Sequence, residues 1–460
     1  MKAFDAIIIG AGQAGPSLAA RLAGAGMTVA VIERKLVGGT CVNTGCIPTK
    51  TLVASAYAAH LARRGADFGV MIDGPIRVDF ARAKARMDEI VLRSRTGLER
   101  WLAGLDRCTL IRGHARFEDA RTVRVGDQRL TAPRIFINVG GRAVVPSFPG
   151  IDQVAYLTNS TVLALDRLPA HLVIVGGSYV GLELAQVYRR FGAAVTVIEK
   201  SAHLLGREDD DVCAAIRDII AGDGITVRTR AECIRLAPHP RGVAVGVDCE
   251  EGEPEVIGSH VLLAVGRRPN TDDLGLERAG VATDDHGFVV VDDRLATSVP
   301  GVWALGECNG HGAFTHTAYN DFEIVAANLL DGGSRTLGQR ILGYALYIDP
   351  PLGRVGLTEA QARATGRPLL VGSRPMTRVG RAVEKGETQG LMKIVADAGT
   401  QQILGAAILG PGGDEAIHGI LDVMNVGAPY SALQWAVPIH PTVSELIPTV
   451  VGEMKPVGGK

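Results

Sequence analysis

Net charge is almost absent from this chain: over 460 residues, 48 Lys and Arg stand against 49 Asp and Glu. Non-specific nucleic-acid binding needs a basic excess, so neither a nucleic acid nor a charge-steered partner is expected. Cysteine is scarce as well. Seven residues, an odd number, argue against a disulfide-stapled secreted scaffold and leave any closely spaced pair to be read chemically. Long apolar runs are missing: Glu183 interrupts the best candidate, and no membrane span is expected. The small and apolar residues between Lys2 and Gly26 superficially resemble a signal peptide. Asp5 breaks them and no basic region precedes, so cleavage is not expected and the chain reads as soluble and cytoplasmic.

Glycine, by contrast, is abundant, with 58 residues but no collagen period and no Gly/Ser tract. Glycines used this way usually serve backbone turns against ligands. The 47% apolar and 21% charged composition supports a large core, and the length suits about three domains.

One pattern occurs twice: an apolar strand, a Gly-rich turn, a helix, a second strand and a terminal Glu. The first copy runs from Ala6–Ile9 through Gly10, Gly12 and Gly15 to Val29–Ile32 and Glu33. The second runs from Leu172–Val175 through Gly176, Gly177 and Gly181 to Val195–Ile198 and Glu199, with the same spacing from first Gly to Glu. The first Gly makes the tight turn, the second admits a pyrophosphate, and the third lets helix lie on strand. The diphosphate then meets unpaired N–H groups at a helix N-terminus. Glu33 and Glu199 would accept ribose hydroxyls and favour adenosine without a 2′-phosphate. A lone motif of this kind can be an ordinary tight turn; its doubling, with both acids, argues for two dinucleotide sites. In the second copy Ser178 replaces the middle Gly and leaves less room. Two sites suggest one tightly held and one exchanging dinucleotide, the logic of a flavoprotein.

Directly after Glu33 the segment RKLVGGTCVNTGCIPTKTLVASA places Cys41 and Cys46 at the start of an expected helix. That spacing allows disulfide distance and a thiolate favoured by the helix N-terminus. A redox-active disulfide is the natural reading. Zinc lacks a second ligand pair nearby, and unrelated buried thiols are the other alternative. Near the C-terminus, His440 precedes Pro441 and Glu445 follows, a plausible dyad for moving thiol protons, although a His beside Pro is often structural. The remaining cysteines, Cys108, Cys213, Cys233, Cys249 and Cys308, are scattered and carry no assigned chemistry.

Together, GGTCVNTGC, HPTVSE and the paired nucleotide motifs resemble the class I pyridine nucleotide-disulfide oxidoreductases, which include glutathione reductase, dihydrolipoamide dehydrogenase and mercuric reductase. The resemblance covers essentially the whole chain. It implies an α/β fold with two Rossmann-like dinucleotide-binding domains and a C-terminal α+β dimerisation domain. It also implies a homodimer in which His440 and Glu445 serve the neighbouring subunit's disulfide. By the resemblance, FAD occupies the first site, with Gly10, Gly12, Gly15, Glu33, Gly39, Thr40, Lys50, Ala115, Gly140, Gly306 and Glu307 around it. NADH or NADPH occupies the second, with Gly176, Tyr179, Gly181, Glu199 and Gly266. Cys46 matches the thiolate that contacts the flavin, and Cys41 the thiol that exchanges with substrate. Lys50 matches the lysine near the flavin, paired with Glu183; a simple buried salt bridge is the alternative. Tyr179 matches the aromatic gate over the flavin.

Departures from the family pattern are informative. Glu307 stands where an Asp normally holds the ribityl chain. Pro438 replaces a His usual in dihydrolipoamide dehydrogenases, and Glu199 replaces the basic residues of glutathione reductases. No second Cys pair lies near the C-terminus and none precedes the first strand, so the metal delivery of typical mercuric reductases is not expected. The stretch FTHTAYNDFEIVAANLL resembles the subgroup around hypothiocyanous acid reductase.

The expected FAD domain is discontinuous, residues 1–145 and 268–335, around a nicotinamide domain at 146–267, with an interface domain at 336–460. The charge runs GREDDDV and CEEGEPE are expected to be solvated, as are His203 and Arg207, which could alternatively help hold an NADPH phosphate. The expected activity is transfer of electrons from NADH, or NADPH, through FAD and the 41/46 disulfide to a small oxidised substrate. Mercuric ion, hypothiocyanite and lipoamide are alternatives within the same fold. A flavin-bound redox-sensing subunit with weak turnover is the rival from another class.

Overall fold

The computed structural model describes residues 1–248 and 252–457; Cys249 and part of CEEGEPE lie outside the described residues. The first nucleotide copy forms β1 (Ala6–Ile9), α1 (Ala14–Gly24) and β2 (Val29–Glu33). These join a five-stranded parallel sheet ordered Val302–Ala304, Ile135–Ile137, β1, β2 and Cys108–Arg112. Its inner strands are continuous apolar runs because both faces are covered. One strand comes from beyond residue 300, so the sheet closes only after the second unit has been inserted.

Past β2 the chain forms α2 (Gly39–Asn43) and α3 (Cys46–Arg63). The second copy forms β3 (His171–Val175), α4 (Tyr179–Phe191) and β4 (Ala194–Ile198) within another five-stranded parallel sheet. A two-stranded ladder of Gly141–Ala143 and Arg267–Pro269 joins the outgoing and returning chain between these sheets. Helix α5 (Thr315–Leu330) then packs on α1. A six-stranded antiparallel sheet follows, built on Leu352–Gly356, Leu369–Pro375, Leu391–Asp397 and Ile403–Leu409. The helix Gly413–Asn425 packs its apolar stripe on this sheet. Among the described residues no helix is long and apolar enough to cross a membrane.

One expectation is corrected here. In GREDDDV, Glu208 and Asp209 are buried rather than solvated. Both carboxylate oxygens of Glu208 engage Arg354, and Tyr344 donates its hydroxyl to the same side chain. Asp209 accepts the N–H groups of Glu359 and Ala360, 3.0 Å each, at the start of a short helix. Buried carboxylates persist only when paired, and these partners come from the C-terminal sheet domain, far along the chain.

Candidate active site

The first Gly-rich turn has the geometry a dinucleotide requires. Gly10 adopts φ +109°, and a Cβ there would lie 2.2 Å from the Asn138 carbonyl oxygen. At Gly15 a Cβ would lie 2.4 Å from the Gly10 oxygen, so only glycine lets α1 approach β1. Gly39 presses on Gly12, while Gly140 faces open space. Glu33 is buried; its carboxylate accepts the Ala11 N–H at 2.9 Å and the Lys35 N–H at 2.7 Å. Each oxygen keeps lone-pair capacity for a ribose hydroxyl. Thr40 lies in α2, and Ala115 opens the strand Ala115–Phe117 beside Gly113, whose N–H binds the Glu33 carbonyl.

The second turn repeats this construction. Gly176 has φ +114°, Gly181 abuts the Gly176 oxygen, and Glu199 accepts N–H bonds from Gly177 at 2.7 Å and Ser201 at 2.8 Å. Beside it opens a cavity of about 890 Å³, whose lining includes Tyr179, Glu199, Arg207, Arg267 and Phe314. Gly266, at φ +128°, has open space where a Cβ would project. His203 is half exposed, whereas Arg207 lines the cavity.

Sequence spacing suggests one helix start for both cysteines; the structure divides them. Cys41 lies in α2 and Cys46 begins α3, with Thr44 and Gly45 breaking the helix between them. A Cβ at Gly45 would meet the Thr40 carbonyl oxygen at 2.9 Å and its methyl at 3.1 Å, so only glycine fits the break. The two residues are thiols in this structure and hydrogen-bond to each other. That bond, the Thr315 hydroxyl 3.2 Å from the Cys46 sulfur and the nearby Lys50 ammonium together pull the Cys46 thiol down to about 6. Cys41 moves the other way, held up by its hydrogen bond to Cys46, by burial and by the neighbouring negative charge.

Lys50, one turn along α3, pairs with Glu183 of α4 at 2.7 Å and lies 4.6 Å from the centroid of the Tyr347 ring. The other oxygen of Glu183 accepts the Tyr347 N–H at 3.0 Å. Three segments distant in sequence thus fix one ammonium beside the dithiol. Glu307 is held from an unexpected direction. Its carboxylate receives Nε of Arg267 at 2.5 Å and Nη2 at 2.9 Å, while Nη2 also donates to the Gly141 carbonyl at 2.8 Å. Gly306 is fixed in turn by Asp321 on α5, which accepts its N–H at 2.7 Å.

Arg267, Phe314, Thr315, Asp321 and Tyr347 were not singled out by sequence reasoning. Phe314, Thr315 and Asp321 lie within the stretch FTHTAYNDFEIVAANLL, but no local signal marked them individually. His440 and Glu445 come together, with Nδ1 2.8 Å from Oε2. The imidazole is 81% exposed, and Trp435, Val437 and Ile439 around it are exposed too. Among the described residues His440 makes no hydrogen bond to Cys41, so these two parts of the expected site do not meet within one chain.

Residues 4–321 match the pyridine nucleotide-disulphide oxidoreductase family, and residues 343–451 match its dimerisation domain. The chain belongs to this family. It is 37% identical to the probable pyridine nucleotide-disulfide oxidoreductase RclA of Escherichia coli K12, over 97% of this chain and 98% of that protein. It is 36% identical to a mercuric reductase of Streptomyces lividans, over 90% of this chain and 88% of the relative. Among solved structures, the Cu(II) complex of the HOCl-induced flavoprotein disulfide reductase RclA from Escherichia coli superposes with a TM-score of 0.89 at 36% identity, covering 98% of this chain and 99% of that one. The protein is therefore a flavin-dependent pyridine nucleotide-disulfide oxidoreductase of the RclA-like type, with FAD as the cofactor its fold implies. The relatives back the alternatives of the sequence reading, among them mercuric reductase and dihydrolipoamide dehydrogenase, better than a general disulfide reductase.

Proposed function

We propose that the protein is a homodimeric, cytoplasmic reductase that uses NADH to reduce a small thiol-reactive oxidant of the hypothiocyanite type at Cys41. The observation that carries this is the asymmetry of the dithiol: the Thr315 hydroxyl lies 3.2 Å from the Cys46 sulfur, whose thiol is pulled down, while that of Cys41 is pushed up. The reading takes 1–145 with 268–335 as the FAD domain, 146–267 as the nicotinamide domain and 336–460 as the interface domain, and the division into separate sheets supports it.

The first cradle fits FAD: glycine turns for the diphosphate, a fixed Glu33 for the ribose, and space at Gly140. Bound FAD supplies two-electron transfer between the nicotinamide and the 41/46 disulfide. Cys46, held by Thr315 and Lys50, would be the sulfur that exchanges electrons with it. Cys41 must lose a proton to act as a nucleophile, and its depressed acidity calls for a base. His440 of the partner subunit supplies that base. Its Nδ1 is engaged by Glu445, which leaves Nε2 to accept the proton. The Cys41 thiolate attacks the electrophilic sulfur of the oxidant in its protonated form, hypothiocyanous acid, and expels hydroxide, which leaves as water with the proton from His440. The Cys46 thiolate then attacks the Cys41 sulfur, releases thiocyanate and closes the disulfide.

Glu199 supports NADH, since its fixed carboxylate would repel a 2′-phosphate; Arg207 in the same cavity is the residue that would favour NADPH. Mercuric ion is the second reading, favoured by the identity to mercuric reductases. Steady-state assays with both nicotinamides against hypothiocyanite, glutathione disulfide, lipoamide and mercuric ion test the proposal. Hypothiocyanite should give the highest kcat/KM, and Cys41→Ser should abolish that turnover with FAD retained. A Cys41→Ser enzyme as active as the parent would refute the exchange role.

A further inference from the structure

The gate reading leaves open what holds Tyr179 in its resting position. Its ring lines the nicotinamide cavity at the start of α4, and among the described residues no hydrogen bond reaches its hydroxyl. The aromatic contact it makes is with Phe314, centroid to centroid 5.4 Å at a tilt of 48°. Phe314 itself is pinned. The Tyr344 ring lies almost parallel to it at 5.6 Å and the His316 ring at 5.5 Å. Both of those rings are anchored by polar contacts, the Tyr344 hydroxyl to buried Glu208 and His316 Nε2 to the Gly343 carbonyl at 2.8 Å. Within the aromatic row, then, one ring is free of polar restraint and the next is fixed from two sides.

We propose that Phe314 is a positioning residue for the gate: it is the fixed post against which Tyr179 rests, and their contact sets how readily the nicotinamide half of the dinucleotide enters. This rests on the assignment of Tyr179 as the gate and of the cavity beside Glu199 as the dinucleotide site. The adenosine end lies near Glu199 and does not need the gate to move; the nicotinamide end does. A ligand that displaces Tyr179 must break the ring contact, so its apparent dissociation constant includes that cost, whereas a ligand that stops short of the gate does not pay it. Aromatic pairs of this kind change equilibria by about two- to tenfold.

The test is equilibrium titration of the oxidised holoenzyme with NAD⁺, which carries the nicotinamide, and with ADP-ribose, which lacks it. In Phe314→Ala the NAD⁺ dissociation constant should fall by about two- to tenfold while that of ADP-ribose stays unchanged. Phe314→Leu, which keeps most of the volume but not the ring, should behave alike and carries the test if the alanine variant loses FAD. Phe314→Tyr should restore the parental ratio. In a Tyr179→Ala background, replacing Phe314 should no longer change the ratio of the two constants. Equal shifts for both ligands, no shift in either, or weaker NAD⁺ binding with unchanged ADP-ribose binding would each overturn the role of Phe314. A parent enzyme that binds neither ligand would instead refute the dinucleotide site itself, and this inference with it.

Discussion

Thr315 offers the sharpest quantitative test of how the dithiol is tuned. Its hydroxyl lies 3.2 Å from the Cys46 sulfur, and once that sulfur is ionised the hydroxyl can only donate to it. A hydrogen bond to a charged group contributes about 1.5–3 kcal/mol, and one pH unit corresponds to about 1.4 kcal/mol. Thr315→Val keeps the side-chain shape and removes the donor. The Cys46 thiol should therefore rise from about 6 to about 7–8. At pH 7 the parent would be about 90% thiolate at this sulfur and the variant about 10–50%. Alkylation of the reduced enzyme by iodoacetamide as a function of pH, with the modified residue located by peptide mass, reads the midpoint at Cys46 directly. The long-wavelength absorbance of a thiolate against oxidised flavin gives a second measurement on the same sample. In both, the signal appears as pH rises through the thiol's value, so the variant curve should move to higher pH. A midpoint unmoved within a few tenths of a pH unit, with the fold intact, would show that Cys41 and Lys50 alone depress Cys46 and that the Thr315 contact does not contribute.

Further outcomes follow from the same geometry. His440→Ala should lower turnover by about 10²- to 10⁴-fold, in the range for losing a general base, with FAD content unchanged in the absorbance spectrum. Equal rates would remove this imidazole from proton transfer. Lys50→Met leaves the buried Glu183 carboxylate without its cation; melting should occur at lower temperature and the Cys46 midpoint should move up, and an unchanged alkylation profile would argue against the ammonium. Glu307→Asp restores the family's shorter acid but withdraws the carboxylate from Arg267. Losing one of those two bonds should destabilise the holoenzyme by about 1.5–3 kcal/mol in denaturant unfolding. A more stable variant would show that the longer side chain is a burden here.

The parts legible in the sequence are those whose chemistry is local. A glycine turn, the strand before it and the acid after it lie within one short segment, so Gly10 through Glu33 and Gly176 through Glu199 could be read directly, and their hydrogen bonds match each other atom for atom. The pairing of His440 with Glu445 was legible for the same reason. What was not legible depends on partners brought together by tertiary folding. Glu307 could be recognised as a departure, but not that Arg267, forty residues earlier, would clamp it. The two cysteines could be seen as neighbours, but not that Gly45 places them on separate helices, because a break of that kind depends on the Thr40 carbonyl packed against it.

The acidic run at 208–211 shows how the same residue type divides by environment. Composition assigns all of its carboxylates to solvent, because a run of charges is usually a solvated face. Asp210 is indeed exposed. Glu208 instead meets an arginine 146 positions later, and Asp209 caps a helix 150 positions later. The pair thereby joins the nicotinamide-side unit to the C-terminal sheet, and Glu208 carries the Tyr344 ring that supports Phe314. An acid that sequence reading discards as surface therefore anchors the row of rings leading to Tyr179. This connection gives the C-terminal domain a physical route to the cavity beside Glu199 within one chain, separate from the exposed His440–Glu445 pair.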